Sequence, residues 1–223
     1  MDSIKIFEIL KSRQYNTTPI QDKEGLLKSI DYFIKLNLPI KLVAYWGITN
    51  KPKTDNLDIE TMEFLESINK RIQEIYPKGI AFDLILTDHH AFTINNYTKD
   101  EVNNYFIGLK DLFNKYNNIK LFILSELRQQ IKLSPLIKID YTPSKDLIPL
   151  LNRGALRMHK GCNLEGSIEL YYKTRIQEKA IFEGLFSKDI FFTYNNPKYK
   201  ELFPNLPVLY LFARKGKSAP PWV

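Results

Sequence analysis

The residues with the clearest capacity for chemistry are an acid and two histidines, Asp88, His89 and His90, directly after an apolar run over 80–87. Such a run is typical of a strand buried on both faces of a parallel sheet. Ligands of open α/β sheets bind just beyond the carboxyl ends of these strands. Asp88 could accept a proton or orient a neighbouring group, and His90 could donate to a substrate carboxylate or phosphate. The alternative for Asp88 is a structural cap of the loop that follows.

Two further predicted strands, over 40–45 and 119–124, also end in polar or aromatic residues. Parallel strands would bring all three ends to one edge of the sheet, where a polar metabolite could bind. The alternative is that strand ends are polar only because loops begin there. The candidate residues contributed by these two ends are Trp46, Lys51, Ser125, Glu126 and Arg128.

A predicted helix over 164–186 carries two cations, Arg175 and Lys179, within its apolar face. A buried arginine requires a charged partner, which is either a ligand anion or a protein carboxylate such as Glu178. Both interpretations remain open at this stage. The apolar residues that share this face at 100° per residue are Ile168, Tyr171, Tyr172, Phe182 and Phe186.

A second basic face precedes Gly161. Arg153, Arg157 and Lys160 are spaced as successive turns of one helix face. They are either solvated cations that offset a helix dipole or a binding site for a sugar phosphate.

The order of elements predicts the fold class. Helical spacing is present over 22–37, in the segment that begins at Asp58 and in the segment that follows the capping box at Thr98. These helices alternate with the three strands, which implies parallel pairing of the strands with right-handed crossovers. Residues 144–186 read as mostly helical with a break at Gly161–Asn163, and strands follow at 190–194 and 207–213. We predict one Rossmann-like α/β domain over 1–223, with a mostly parallel central sheet, a helical C-terminal half and a helical insertion or cap at about 143–186.

Composition excludes several classes of protein. With 44% hydrophobic and 13% aromatic residues, the chain can build a real core, yet it has no apolar run long enough for a membrane span. The N-terminus is too charged for a signal peptide, so a cytoplasmic location is expected. A single cysteine, Cys162, excludes an internal disulfide. No metal is expected, because the third histidine, His159, is remote from the other two.

Charge and motifs bear on partners. The net charge of +7 indicates an anionic partner or a compositional bias towards lysine, and the scattered basic residues argue against nucleic acid. No glycine-rich phosphate loop and no Gly-x-Ser-x-Gly elbow is present, so no ATP or nicotinamide cofactor is expected.

Segments within residues 30–124 resemble the pyoverdine/dityrosine biosynthesis family, the isonitrile synthases. Asp88 matches an aspartate in that family's Ser-Asp-Gly-Arg-Val-Phe type of motif, where His90 replaces an arginine. Lys51 is the nearest candidate for the lysine after the first strand, although the family's Phe-Pro-Ala-Lys-Ser-Pro pattern is absent. The other resembling stretches in this range are Ile30-Asp-Tyr-Phe-Ile34, Leu38-Pro-Ile40, Ile72-Gln-Glu-Ile-Tyr-Pro-Lys-Gly79 and Tyr105. Beyond this range, Pro220-Pro-Trp222 resembles a Pro-Trp-His near that family's end, here without the histidine.

The resemblance implies condensation of an amino acid's amine with the ketone of a pentulose phosphate, whose carbon is retained in an isonitrile. This chemistry needs proton transfer, a phosphate clamp and an apolar pocket. Asp88, His90 and Lys51 are our catalytic candidates. The substrate-binding candidates are Trp46, His89, Glu126, Arg157, Lys160, Tyr171, Arg175 and Lys179, with Phe182 as a further pocket residue.

Two alternatives remain open. One is an aminoacyl-tRNA-using transferase similar to cyclodipeptide synthases, which need a nucleophilic serine after the first strand. This chain has Gly47-Ile48-Thr49 there. The other is a non-catalytic ligand-binding module.

Overall fold

A computed structural model of the protein describes residues 2–47, 53–155, 164–195 and 197–211. The helices in these ranges are α1 (Asp2–Leu10), α2 (Lys23–Lys35), α3 (Asn56–Gln73), α4 (Asp88–Thr93), α5 (Lys99–Phe113), α6 (Leu124–Gln130), α7 (Ile148–Ala155) and α8 (Leu164–Leu185). The strands are β1 (Ile40–Trp46), β2 (Ile80–Leu86), β3 (Ile119–Ile123), β4 (Ile190–Thr193) and β5 (Val208–Tyr210). Short 3-10 helices lie at Leu136–Lys138 and Pro197–Leu202.

The described strands form one sheet in the order β3-β2-β1-β4-β5, and every neighbouring pair is parallel. The chain builds one half of the sheet outwards from β1 and then returns to add β4 on the other side of β1. This return makes β1 and β4 flank the topological switch point of the fold. The predicted α/β class with a parallel Rossmann-like sheet is confirmed.

Helices cover both faces of the sheet because the strand side chains alternate in direction. On one face, the even-numbered residues of β1 and β2 pack against α1, α2, α3 and α5. On the other face, Val43, Tyr45 and Ile85 pack against α6 and the C-terminal half of α8. A smaller apolar cluster joins α7 and α8 to the second 3-10 helix. The result is a three-layer arrangement.

Most element boundaries agree with the sequence-based prediction, and the differences have local causes. The helix expected from Asp58 begins at Asn56, because the Asp55 side chain caps it and Asp58 completes a capping box. The helices α1, α4 and α6 were not predicted, and α4 occupies the place of the loop expected after Asp88. The expected break at Gly161–Asn163 lies outside the described residues. None of the helices in the described ranges is long and apolar enough to cross a membrane.

Candidate active site

The carboxyl ends of β1, β2 and β3 lie side by side, since Trp46 pairs with Leu86 and Leu86 pairs with Ile123. Asp88 links two of these ends. Its Oδ1 atom accepts a hydrogen bond of 3.0 Å from the backbone N–H of Ser125, in the first turn of α6. The buried carboxylate therefore caps the helix that follows the neighbouring strand, and it holds the ends of β2 and β3 together.

Arg175 lies on the sheet-facing side of α8 and is buried together with Glu178. Its Nη1 atom donates a hydrogen bond of 2.7 Å to Oε2 of Glu178. The guanidinium also lies against the ring of Tyr45, with Cζ 4.0 Å from the ring centroid. Of the two interpretations of Arg175, the structure thus contains the internal ion pair. In the described structure, however, Nε of Arg175 and Oη of Tyr45 are buried and make no hydrogen bond.

Arg128 of α6 brings a second guanidinium to the same region. Burial lowers the pKa of Arg128, and the nearby charges of Glu178 and Asp88 act in the opposite direction. Its Nη1 atom is buried and has no hydrogen-bond partner among the described residues. Two arginines from different helices therefore flank one buried carboxylate, and both retain N–H groups that no described acceptor uses.

We call Tyr45, Arg128, Tyr171, Arg175 and Glu178 the arginine–tyrosine cluster. Burial raises the pKa of Tyr45 well above its usual value, although the positive charge of Arg175 opposes the shift. Burial likewise raises the pKa of Tyr171, again against Arg175. Both phenols are therefore neutral hydrogen-bond donors at physiological pH. Desolvated donors of this kind, next to fixed positive charge, suit a substrate carboxylate, a phosphate or a developing oxyanion.

Trp46 faces away from this cluster. It is fully buried on the other face of the sheet, where its Nε1 atom donates to Oη of Tyr105 at 3.0 Å. The Tyr105 hydroxyl in turn donates to Oδ1 of Asp58 at 2.9 Å. The structure does not bring Trp46 together with Tyr171 and Phe182, because neighbouring residues of a strand point to opposite faces.

The aromatic residue of β1 that does meet α8 is Tyr45. Its ring centroid lies 4.2 Å from that of Phe182. Sequence reasoning did not propose Tyr45, although the alternation along β1 would have placed it opposite to Trp46. Arg128 was noticed at the strand end but was not chosen as a site residue.

The other candidates differ in their surroundings. Glu126 is exposed on α6, whereas His89 and Lys179 are half-buried. The backbone oxygen of His89 accepts a hydrogen bond from Oγ1 of Thr93. Lys51, Arg157, Lys160 and the side chain of His90 lie outside the described residues. Within the part of the chain that is described, no group of three or more His, Cys, Asp or Glu side chains could hold a metal ion.

Comparison with known proteins reveals likeness in fold. No family model matches the sequence, and no curated protein matches it either. Among solved structures, the PvcA protein from Pseudomonas aeruginosa is similar over 100% of this chain and 87% of its own, with a TM-score of 0.75 and 16% identity. Tyrosyl-tRNA synthetase from Archaeoglobus fulgidus, solved with L-tyrosine, is similar over 93% of this chain and 63% of its own, with a TM-score of 0.58 and 13% identity. These similarities establish a shared Rossmann-like fold.

Proposed function

We propose that this protein is a biosynthetic enzyme of the isonitrile synthase type, which condenses the amine of an amino acid with the ketone of a pentulose phosphate. The observation that carries the proposal is the arginine–tyrosine cluster at the carboxyl end of β1. There, Arg175 and Tyr45 are buried and keep polar atoms without a hydrogen bond in the described structure. Buried polar groups are rarely left unsatisfied, and a bound substrate is one explanation of such atoms.

Two similarities in fold support an amino-acid substrate. The PvcA protein shares the fold over the whole of this chain. The tyrosyl-tRNA synthetase was solved with L-tyrosine bound. The resemblance of residues 30–124 to the isonitrile synthases points to the same class of substrate.

Each group of residues has a role in the proposal. The free N–H groups of Arg128 and Arg175 bind the substrate carboxylate, and Tyr45 donates its hydroxyl hydrogen to an oxygen of the substrate. Asp88 and His90, at the end of β2, transfer the protons needed to form and break the imine. Lys51 assists this proton transfer, while Arg157 and Lys160 bind the sugar phosphate. Tyr171 and Phe182 line the pocket for the amino-acid side chain.

The test is incubation of the protein with ribulose 5-phosphate and each of the twenty amino acids, with thermal-shift and mass-spectrometric measurement. We expect stabilisation by the phosphosugar and a new product with one amino acid. No stabilisation and no product with any amino acid would contradict the proposal.

Asp88→Asn tests the proton-transfer role. The asparagine Oδ1 can still accept the hydrogen bond from the backbone N–H of Ser125, so the melting temperature should stay unchanged. Only the charge and the basicity are lost, and we expect product formation to fall by about 10²–10⁴-fold. The matched control is Asp111→Asn on the exposed surface of α5, which should keep full activity. Full activity in Asp88→Asn would remove Asp88 from the mechanism.

A further inference from the structure

The edge of the sheet opposite to the candidate active site holds a cleft of about 690 Å³, at the amino ends of β1, β2 and β3. Its walls come from the C-terminal half of α3 and from the segments that precede β2 and β3. We call it the lysine cleft, after the five lysines that line it: Lys41, Lys70, Lys78, Lys115 and Lys120.

The positive charge of this cleft is largely unmatched. Two carboxylates, Glu66 and Asp83, also line it. Glu66 accepts hydrogen bonds from the amides of Asn69 and Asn118, and Asp83 pairs with Lys41 at 3.5 Å. Within the described ranges, the other four lysines of the cleft form no ion pair, although Nζ of Lys120 lies 4.7 Å from the centroid of the Phe122 ring. Ammonium groups collected around one cleft repel each other, and a bound anion relieves that repulsion.

Helix dipoles do not explain the whole group. Lys70 lies in the last turn of α3 and Lys115 follows the end of α5, where cations offset the negative end of a helix. Lys41 and Lys120, by contrast, lie on strands, and Lys78 lies in the turn before β2. The parallel strand order brings these cations together from separate parts of the chain.

We propose that the lysine cleft binds an oligophosphate of nucleotide size, either a nucleoside polyphosphate or inorganic polyphosphate. A volume of 690 Å³ lies within the range of about 300–1,000 Å³ that is usual for small-ligand sites. Lysine binds phosphate as a point charge, and several lysines match several phosphate groups. The side chains of Gln73, Tyr116 and Asn117 also line the cleft and provide contacts for a base. This site is separate from the candidate active site, which lies at the other ends of the same strands.

The experiment is calorimetric titration of the full chain with inorganic triphosphate, ATP and adenosine, at low and at physiological salt. The test variant is the triple substitution Lys70→Gln, Lys115→Gln and Lys120→Gln. The matched control removes the same charge from exposed lysines outside the cleft, as Lys5→Gln, Lys138→Gln and Lys145→Gln. Lys41 is kept in both, because its loss would leave the buried carboxylate of Asp83 unpaired.

We expect triphosphate and ATP to bind to the unchanged protein and adenosine not to bind. The cleft variant should lose about tenfold or more in affinity for triphosphate, because each of the three lysines contributes a small electrostatic attraction. The control variant should stay within about twofold of the unchanged protein. Tighter binding of ATP than of triphosphate would identify a nucleotide, and equal binding would identify polyphosphate.

A parallel titration with transfer RNA completes the set. Three results would overturn the proposal: no binding of any phosphate compound, an equal loss in both triple variants, or binding of transfer RNA without binding of triphosphate or ATP. The last would make the cleft a nucleic-acid surface. Asp88→Asn, which should keep its melting temperature and lose product formation, should leave triphosphate binding unchanged, which separates this site from the proposed enzymatic function.

Discussion

At the scale of single residues, the ion pair of Arg175 and Glu178 is withdrawn from water almost completely. The exposed fractions of the two side chains are 8% and 0%. Desolvating two charges is costly, and the Coulomb attraction in the interior offsets this cost only when the geometry is good. Here the 2.7 Å hydrogen bond and the stacking on Tyr45 provide that geometry. The pair holds an arginine at the candidate active site in one orientation.

Removal of one partner of this ion pair should strongly destabilise the folded protein. Glu178→Gln leaves the buried guanidinium of Arg175 without its carboxylate, so we expect the free energy of unfolding to fall by about 3–5 kcal/mol. Urea denaturation measures the change. The matched control on the same helix is Glu169→Gln, which breaks the more exposed pair with Lys173 and should cost less than about 1 kcal/mol. Equal effects of the two substitutions would show that the buried pair has no special structural role.

Asp189, just before β4, should make stability depend on pH. Burial and the neighbouring charge of Asp83 raise the pKa of Asp189 from 3.8 to about 7, and Lys41 opposes the shift. The folded protein therefore holds a proton that the unfolded chain has lost, and stability from this group falls as the pH rises from 3.8 to about 7.

We expect Asp189→Asn to remove up to about 4 kcal/mol of this fall, measured by urea denaturation across that range. Asp140→Asn, at an exposed position, should leave the pH dependence unchanged. An identical pH dependence in Asp189→Asn would contradict the shift.

At the scale of elements, the turn between α3 and β2 illustrates how local geometry positions a strand. Gly79 has a φ of 61°, in the left-handed region that favours glycine. Oδ1 of Asn69 in α3 accepts a hydrogen bond of 2.8 Å from the backbone N–H of Ile80. The helix thus fixes the first residue of the strand whose other end carries Asp88.

Gly79→Ala should disturb this turn. A Cβ atom would lie 2.3 Å from Oδ1 of Asn69, and the left-handed conformation itself costs about 1–2 kcal/mol for alanine. We expect a loss of about 2 kcal/mol or more in the free energy of unfolding. Gly166→Ala in α8 is the control, because its Cβ would meet nothing within 4 Å and alanine favours helix. If both substitutions have the same effect, the turn does not need glycine.

At the scale of the whole molecule, one sheet contributes side chains to two hydrophobic cores, one on each of its faces. β1 supplies Ala44 and Trp46 to the core under α3 and α5, and Val43 and Tyr45 to the core under α6 and α8. Detachment of either layer of helices would expose one apolar face of the same strands to water. The three layers should therefore unfold as one cooperative unit.

A variant with a single tryptophan tests this cooperativity. In Trp222→Phe, Trp46 is the only tryptophan that remains. Because Trp46 is fully buried between β1 and α5, its emission should move to longer wavelength only when the core opens. We expect the urea transition followed by this emission to coincide with the transition followed by far-ultraviolet circular dichroism. Separate midpoints would indicate two units, with the helical segment at about 143–186 the first to consider.

The sequence alone determined the alternation of strands with α2, α3 and α5, the parallel pairing and the edge at which Asp88 lies. These features follow from local signals, namely apolar periodicity and the capping box at Thr98. Only the tertiary structure decided which partners meet. Tyr45 contacts Arg175 while Trp46 turns to Tyr105, because the helices that cover each face of β1 come from distant parts of the chain. The gathering of the five cleft lysines likewise depends on strand order and register, which are long-range packing choices that no local pattern encodes.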